Sequence, residues 1–243
     1  MRLSRSFLQC ALLALCLSLV VADSCSDFRR QLKDKYHSKH KTLGYKLARQ
    51  YMYNYIDNFD NTVECVYGGG VFPFKPTNGT DIKNINCEHT IPQSFFKKKN
   101  PYVSDLHHLF PSYPQFNSIR SNFPFKNLSI AETDKWMIDT EVTKQVPQSH
   151  IQEYSRGTNG GFTPRDQHKG PLARSILYFF TMYPEACKIE QVADVKLLLA
   201  WHHQFPPLRG EKLRNERIQY VQDSINPFVL YPDLTREAFE NCL

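Results

Sequence analysis

The residues best equipped for chemistry lie in three short runs: Cys87-Glu88-His89-Thr90-Ile91-Pro92, then Asp105-Leu106-His107-His108-Leu109-Phe110-Pro111, then Asn117-Ser118-Ile119-Arg120-Ser121-Asn122. Together they hold what metal-assisted phosphodiester cleavage needs. Glu88 and Asn117 offer a carboxylate and an amide oxygen for a hard cation. His89 offers an imidazole that titrates near neutrality and can take a proton from water. Arg120 and Arg174 can share charge on a phosphate, and Lys97-Lys98-Lys99 can grip a phosphate backbone. Asp105, His107, His108 and Asn122 support these groups: Asp105 by orienting an imidazole, one of the two histidines from the site and the other from the core, Asn122 by fixing the helix end.

Bringing these side chains together makes demands on the backbone. Residues 85–91 read as a strand, on which neighbours point to opposite faces. Glu88 and His89 therefore share a pocket only if the strand ends or bulges before Pro92. Residues 105–110 read as a second strand, ended by Pro111-Ser112. The run Ser112-Tyr113-Pro114-Gln115 then carries helix-start signals: Ser as N-cap, Pro in the first turn, Gln at the capping-box position. Asn117 falls early on that helix with Arg120 on the same face. The product is a ββα unit with the imidazole on its first strand and the amide on its helix.

Around this unit, residues 28–59 show helical periodicity broken at Gly44, with Leu43, Leu47, Tyr51 and Tyr55 as a buried stripe. Residues 63–67 and 71–74 read as short strands about Gly68-Gly69-Gly70. The stretch 97–165, rich in Pro, Asn and Ser, reads as loop with short elements. Helices return at Pro171, placed in a first turn, with Leu172, Ile176, Phe179 and Phe180 inward. They continue through Val192, Val195, Leu198 and Leu199, and again through Leu213, Arg217, Tyr220 and Val221. With no repeat, linker or composition break, one mixed α+β domain over 23–243 is the simplest architecture.

Arg2 and Arg5 precede an apolar run ending in Val20-Val21-Ala22, the layout of a signal peptide over 1–22. No second run approaches the roughly 18 apolar residues of a membrane span, so the expected product is secreted and free of the membrane; a monomer is the separate expectation for its assembly. Cleavage removes Arg2 and Arg5 and takes the formal charge from +6 to +4, mildly basic and compatible with a polyanion. Cys25, Cys65, Cys87, Cys187 and Cys242 remain, enough for two disulfides and one free thiol in an oxidising compartment. Cys65 with Cys87, and Cys25 or Cys187 with Cys242, are the pairings considered. Asn78-Gly79-Thr80 and Asn127-Leu128-Ser129 are glycosylation sequons, expected on surface loops.

The order Glu-His-x-x-Pro, Asp-x-His-x-Leu-x-Pro, Asn-x-x-Arg-x-Asn resembles the endonuclease I family of secreted and periplasmic nucleases, within the ββα-metal (His-Me finger) superfamily. The likeness continues at Lys169-Gly170-Pro171-Leu172-Ala173-Arg174, Trp201, Asn215-Glu216-Arg217-Ile218 and Asn226-Pro227-Phe228. It implies a ββα-metal core flanked by helices. His89 is implied as general base, and Glu88 and Asn117 as ligands of one Mg²⁺, with Mn²⁺ or Ca²⁺ as alternatives. The implied substrates are DNA or RNA, and the products carry 5′-phosphates. One departure stands out: the family places an arginine between the two strands, where this chain has only Lys97, Lys98 and Lys99. Lysine lacks the bidentate fork, so Arg120 or Arg174 would have to compensate.

Two other classes compete. A non-catalytic nucleic-acid-binding protein on the same scaffold draws on the missing loop arginine. A zinc peptidase or esterase would need His-Glu-x-x-His or Gly-x-Ser-x-Gly, and neither motif is present. His202-His203 and His37-Ser38-Lys39-His40 have zinc-ligand chemistry, but no neighbouring carboxylate or Cys completes a set. They read as surface or core histidines.

Overall fold

Gly44 adopts φ +75°, a conformation that glycine takes freely, and there the N-terminal helical stretch divides. The computed structural model describes residues 24–77, 79–80 and 82–243. The expected signal peptide at 1–22 and the sequon residue Asn78 lie outside them. Helix α1 spans 24–36. Helix α2 (Tyr45–Tyr51) runs on into one π-helical turn, Met52–Ile56.

The expected stripe is displaced by one column. Ala48, Met52, Tyr53 and Ile56 are buried, whereas Leu47, Tyr51 and Tyr55 are 37–41% exposed. Both sets repeat every four residues, and the smaller Ala48 lets the backbone approach the core more closely than the aromatic column would. Arg217 covers part of the outer column, its guanidinium 5.3 Å from the Tyr55 ring centroid.

A small antiparallel sheet follows, with β1 (Asn58–Phe59), β2 (Thr62–Glu64) and β3 (Val71–Pro73) in that order. Strands β4 (Asn86–His89) and β5 (Leu109–Ser112) pair antiparallel, with Glu88 opposite Phe110 and His89 opposite Leu109. The second strand therefore begins at Leu109, not at Asp105. Asp105 accepts a hydrogen bond from the His107 backbone N–H, which caps a 3-10 turn at Leu106–His108. Pro111 lies within β5, and helix α3 (Pro114–Arg120) follows with Tyr113, rather than Ser112, at its N-cap.

The stretch 97–165, read as loop, also builds a four-stranded antiparallel sheet ordered β7-β6-β8-β9. These are β6 (Lys135–Ile138), β7 (Glu141–Thr143), β8 (Ser155–Thr158) and β9 (Gly161–Thr163). Strands of three or four residues are too short to show alternation. Helix α4 (Asp166–Met182) starts before Pro171, which lies inside it. Pro171 forfeits only the bond to the Gln167 carbonyl, on an exposed residue in the first turn. Helices α5 (Val195–Gln204), α6 (Arg209–Gln222), α7 (Pro227–Leu230) and α8 (Leu234–Ala238) complete the chain. On α6 the expected apolar stripe again faces outward: Tyr220 is 82% exposed, while Asn215, Ile218 and Gln222 are buried.

Cys25 is bonded to Cys242, while Cys65, Cys87 and Cys187 are free thiols. The Cys65–Cys87 pairing fails for a geometric reason. On one side of β5 Cys87 pairs with Pro111, and on the other the Val66 N–H donates to the Pro111 carbonyl. Segments flanking a common strand sit about 9–10 Å apart, beyond the roughly 7 Å Cα separation a disulfide spans. Among the described residues, no helix is long and apolar enough to cross a membrane.

Candidate active site

Strand β4, helix α3 and the loop at 92–98 enclose a cleft of about 390 Å³ lined by Glu88, His89, Lys98, Asn117, Arg120 and Asn122, among others. Glu88 and His89 both reach it because the ladder stops at His89. The Thr90 N–H still donates to His108 O, and the chain bends at once. Glu88 is 1% exposed, and the Tyr67 hydroxyl donates to its Oε1 at 2.8 Å. Burial pushes the Glu88 carboxyl up to about 7, against the pull of Arg120 and the Tyr67 hydrogen bond. Even beside a guanidinium, this buried carboxylate is short of positive charge, and a cation would supply it.

His89 is oriented by its backbone surroundings. Its Nε2 lies 3.1 Å from Val103 O, which can only accept, so Nε2 carries the proton and Nδ1 holds the free lone pair. Tyr45 packs against the ring at 5.2 Å and His108 at 5.6 Å. Burial first, then His108 and Arg120, lower its pKa to about 3. His89 is therefore neutral at any physiological pH.

Asn117 is fixed by two acceptors: Nδ2 donates to Asn86 Oδ1 at 3.0 Å and to Cys87 O at 3.2 Å. That sets the amide orientation and leaves Oδ1 as an oxygen ligand. Glu88 and Asn117 thus form an all-oxygen donor pair, the set suited to a hard divalent ion.

Arg120 lines the cleft but is heavily engaged. Nε is 3.4 Å from Glu88 Oε1, Nη2 donates to Thr90 O, Nη1 donates to Ser121 O, and Phe125 stacks beneath. Arg174 does not line the cleft, which corrects the expectation of a phosphate contact. Fully buried, it binds both carboxylate oxygens of Glu211 and the Phe205 carbonyl. Of the lysine run only Lys98 lines the cleft; Lys97 and Lys99 are exposed outside it. Asn122 is exposed at the rim, and Ser121, at φ +51°, ends α3 in its place.

Asp105 stands away from the cleft in a buried network. His107 turns from it too, its Nε2 3.2 Å from Ser224 O, while His108 holds Tyr102 O through Nε2 and faces His89. Asn127 is exposed. The supports that sequence missed are Tyr67, Asn86, Tyr45 and the Val103 carbonyl. Nothing local marks them, since each acts across the fold. A larger, mostly apolar cavity of about 710 Å³ lies elsewhere, reaching His107, Phe110 and His168.

A strand–strand–helix unit that gathers carboxylate, imidazole and amide at one cleft defines an α+β protein of the ββα-metal class. The family model for endonuclease I matches residues 24–233, and the chain belongs to that family. It is 29% identical over 183 residues to an extracellular ribonuclease of Bacillus subtilis, covering 68% of this chain and 57% of the relative. It is 28% identical over 134 residues to an extracellular deoxyribonuclease of Aeromonas hydrophila (54% and 50%). A periplasmic deoxyribonuclease of the same organism is 27% identical over 134 residues (54% and 48%). The chain thus spans about half the length of the curated relatives it matches.

Proposed function

We propose that this protein is a secreted, divalent-cation-dependent endonuclease, largely indifferent to sequence, that hydrolyses DNA, and RNA as a second substrate, to products with 5′-phosphates. The observation that carries the reading is His89: neutral, its Nε2–H bonded to a carbonyl and its Nδ1 lone pair free, beside the oxygen pair of Glu88 and Asn117. Relatives named as extracellular and periplasmic nucleases support both the activity and the secreted location.

In this reading His89 Nδ1 accepts a proton from water as its oxygen attacks phosphorus, and the bond to the 3′ oxygen breaks. Val103 O then holds the Nε2–H of the resulting imidazolium. A pKa of about 3 makes His89 a weak base in the free protein, and a phosphate anion in the cleft would act to raise it. Glu88 and Asn117 would hold Mg²⁺, or Mn²⁺ or Ca²⁺ in its place. When bound, the ion polarises the scissile phosphate and stabilises the leaving oxygen. Arg120 favours the ionised form of Glu88 against burial and aims it, and Lys98 meets the phosphate chain. Phosphate contacts carry no base information, so cleavage directed by them is largely indifferent to sequence.

Supercoiled plasmid incubated with the purified protein, with Mg²⁺ or EDTA, tests this beside His89→Ala. The expected result is nicking that needs the ion and falls by about 10²–10⁴-fold in the variant. A folded protein that cuts neither DNA nor RNA with any of the three ions would favour a binding-only protein. Cleavage that survives His89→Ala would keep the activity and remove the mechanism.

A further inference from the structure

His37 and His40 take no part in the proposed hydrolysis, yet the fold completes the set that their sequence neighbourhood lacks. The turn after α1 lays the two rings side by side, centroids 4.3 Å apart and 10° from parallel. Opposite them stands Asp105, from the segment that enters β5. His37 Nε2 is 3.7 Å from Asp105 Oδ2, and one ligand atom from each of the three residues lies within 4.8 Å of the others.

We propose that His37, His40 and Asp105 form a second metal site, for Zn²⁺ or a transition ion of similar softness. It is separate from the Glu88–Asn117 pair and independent of the nuclease reading. Two imidazoles and one carboxylate suit such an ion, whereas Mg²⁺ and Ca²⁺ prefer oxygen alone. Tetrahedral Zn²⁺ with bonds of about 2.0–2.1 Å holds its ligand atoms roughly 3.3–3.5 Å apart, a few tenths below the His37–Asp105 separation.

The supporting bonds are also in place. His40 Nδ1 is 3.2 Å from Ser224 Oγ, and its Nε2 is buried without a hydrogen-bond partner. A ligating histidine shows this pattern, with one nitrogen oriented by a neighbour and the other left for the ion. Asp105 is fixed at both oxygens, by the His107 N–H and Gln222 Nε2 at Oδ1 and by the Tyr178 and Tyr183 hydroxyls at Oδ2. Tyr183 donates to Asp105, so at 2.7 Å it accepts from His37 Nε2–H. Metal loading must move that proton from Nε2 to Nδ1 of the same ring and tilt the half-buried His40 ring out of its stack, because parallel rings cannot aim two lone pairs at one ion. The ion would join α1 to the segment carrying His108, whose ring packs on His89.

The test uses the purified protein after EDTA treatment. Calorimetric titration with Zn²⁺ should show one ion bound. Co²⁺ should give the strong visible absorption of a tetrahedral nitrogen–oxygen site. His40→Ala should lower Zn²⁺ affinity by about tenfold or more, and Glu88→Gln should leave it intact. No Zn²⁺ binding, a weak octahedral Co²⁺ spectrum, or affinity lost in Glu88→Gln but kept in His40→Ala would each overturn the proposal. The Co²⁺ spectrum of the unaltered protein decides even if the His40 variant folds poorly.

Discussion

Two arginines show how residue type alone can mislead. Arg120 and Arg174 are equally cationic and nearly equally buried, at 1% and 0% exposure, but only Arg120 borders the cleft. Arg174 forms a buried two-pronged bond with Glu211 between α4 and the start of α6. Removing one partner of such a pair strands the other charge, at a cost of about 3–5 kcal/mol. Arg174→Ala should therefore lower the urea midpoint strongly, while turnover per folded molecule, measured in the cold, stays within about twofold of normal. A large fall in turnover at unchanged stability would return Arg174 to the reaction. The residues legible from sequence were those with unmistakable chemistry, Glu88, His89 and Asn117, which the fold brings to one cleft. Tyr67, Asn86 and Val103 were not, because a hydroxyl, an amide and a carbonyl gain meaning only from what they touch.

At the scale of elements, the ββα unit could be read because Pro92 follows its first strand and Pro114 opens its helix. The helical faces could not: α2 and α6 each carry an apolar column on the outside, and burial follows neighbours that sequence does not name. Gly170 is a case where the motif does carry element-level meaning. A Cβ there would stand 2.2 Å from the Phe205 carbonyl and 2.7 Å from Arg174 Nη2, so the missing side chain lets the end of α5 close on α4. Backbone cannot move aside as a side-chain tip can. Gly170→Ala should cost about 1–3 kcal/mol, seen as a lower urea midpoint at unchanged slope.

Across the whole molecule, buried histidines set the acid limit. Burial is the leading reason that His89, His107 and His168 are lowered to about 3, and His108 to about 4. Their folded pKa values lie below the unfolded 6.5, so the unfolded chain takes up protons first as pH falls. Stability is then full above about pH 6.5 and is lost toward pH 4 as the unfolded chain takes up these protons. Glu88, raised to about 7, works in the opposite sense between 4.5 and 7, a single proton against the several of the histidines, His202 at about 4 and the lowered His40 included. Urea midpoints should therefore change little from pH 8 to 7 and fall steeply from 6 to 4.5. A flat profile would mean that these rings are hydrated.

The Cys25–Cys242 bond joins positions near the two ends of the described chain into a covalent ring. A ring cut once is still one molecule. Protease cleavage in the exposed stretch 144–150 would thus leave a single species on a non-reducing gel and two fragments after reduction. The cleft would remain assembled, since β4, β5 and α3 all lie on one side of such a cut. If the proposed nuclease reading holds, activity measured on nicked, unreduced protein should match that of the intact chain.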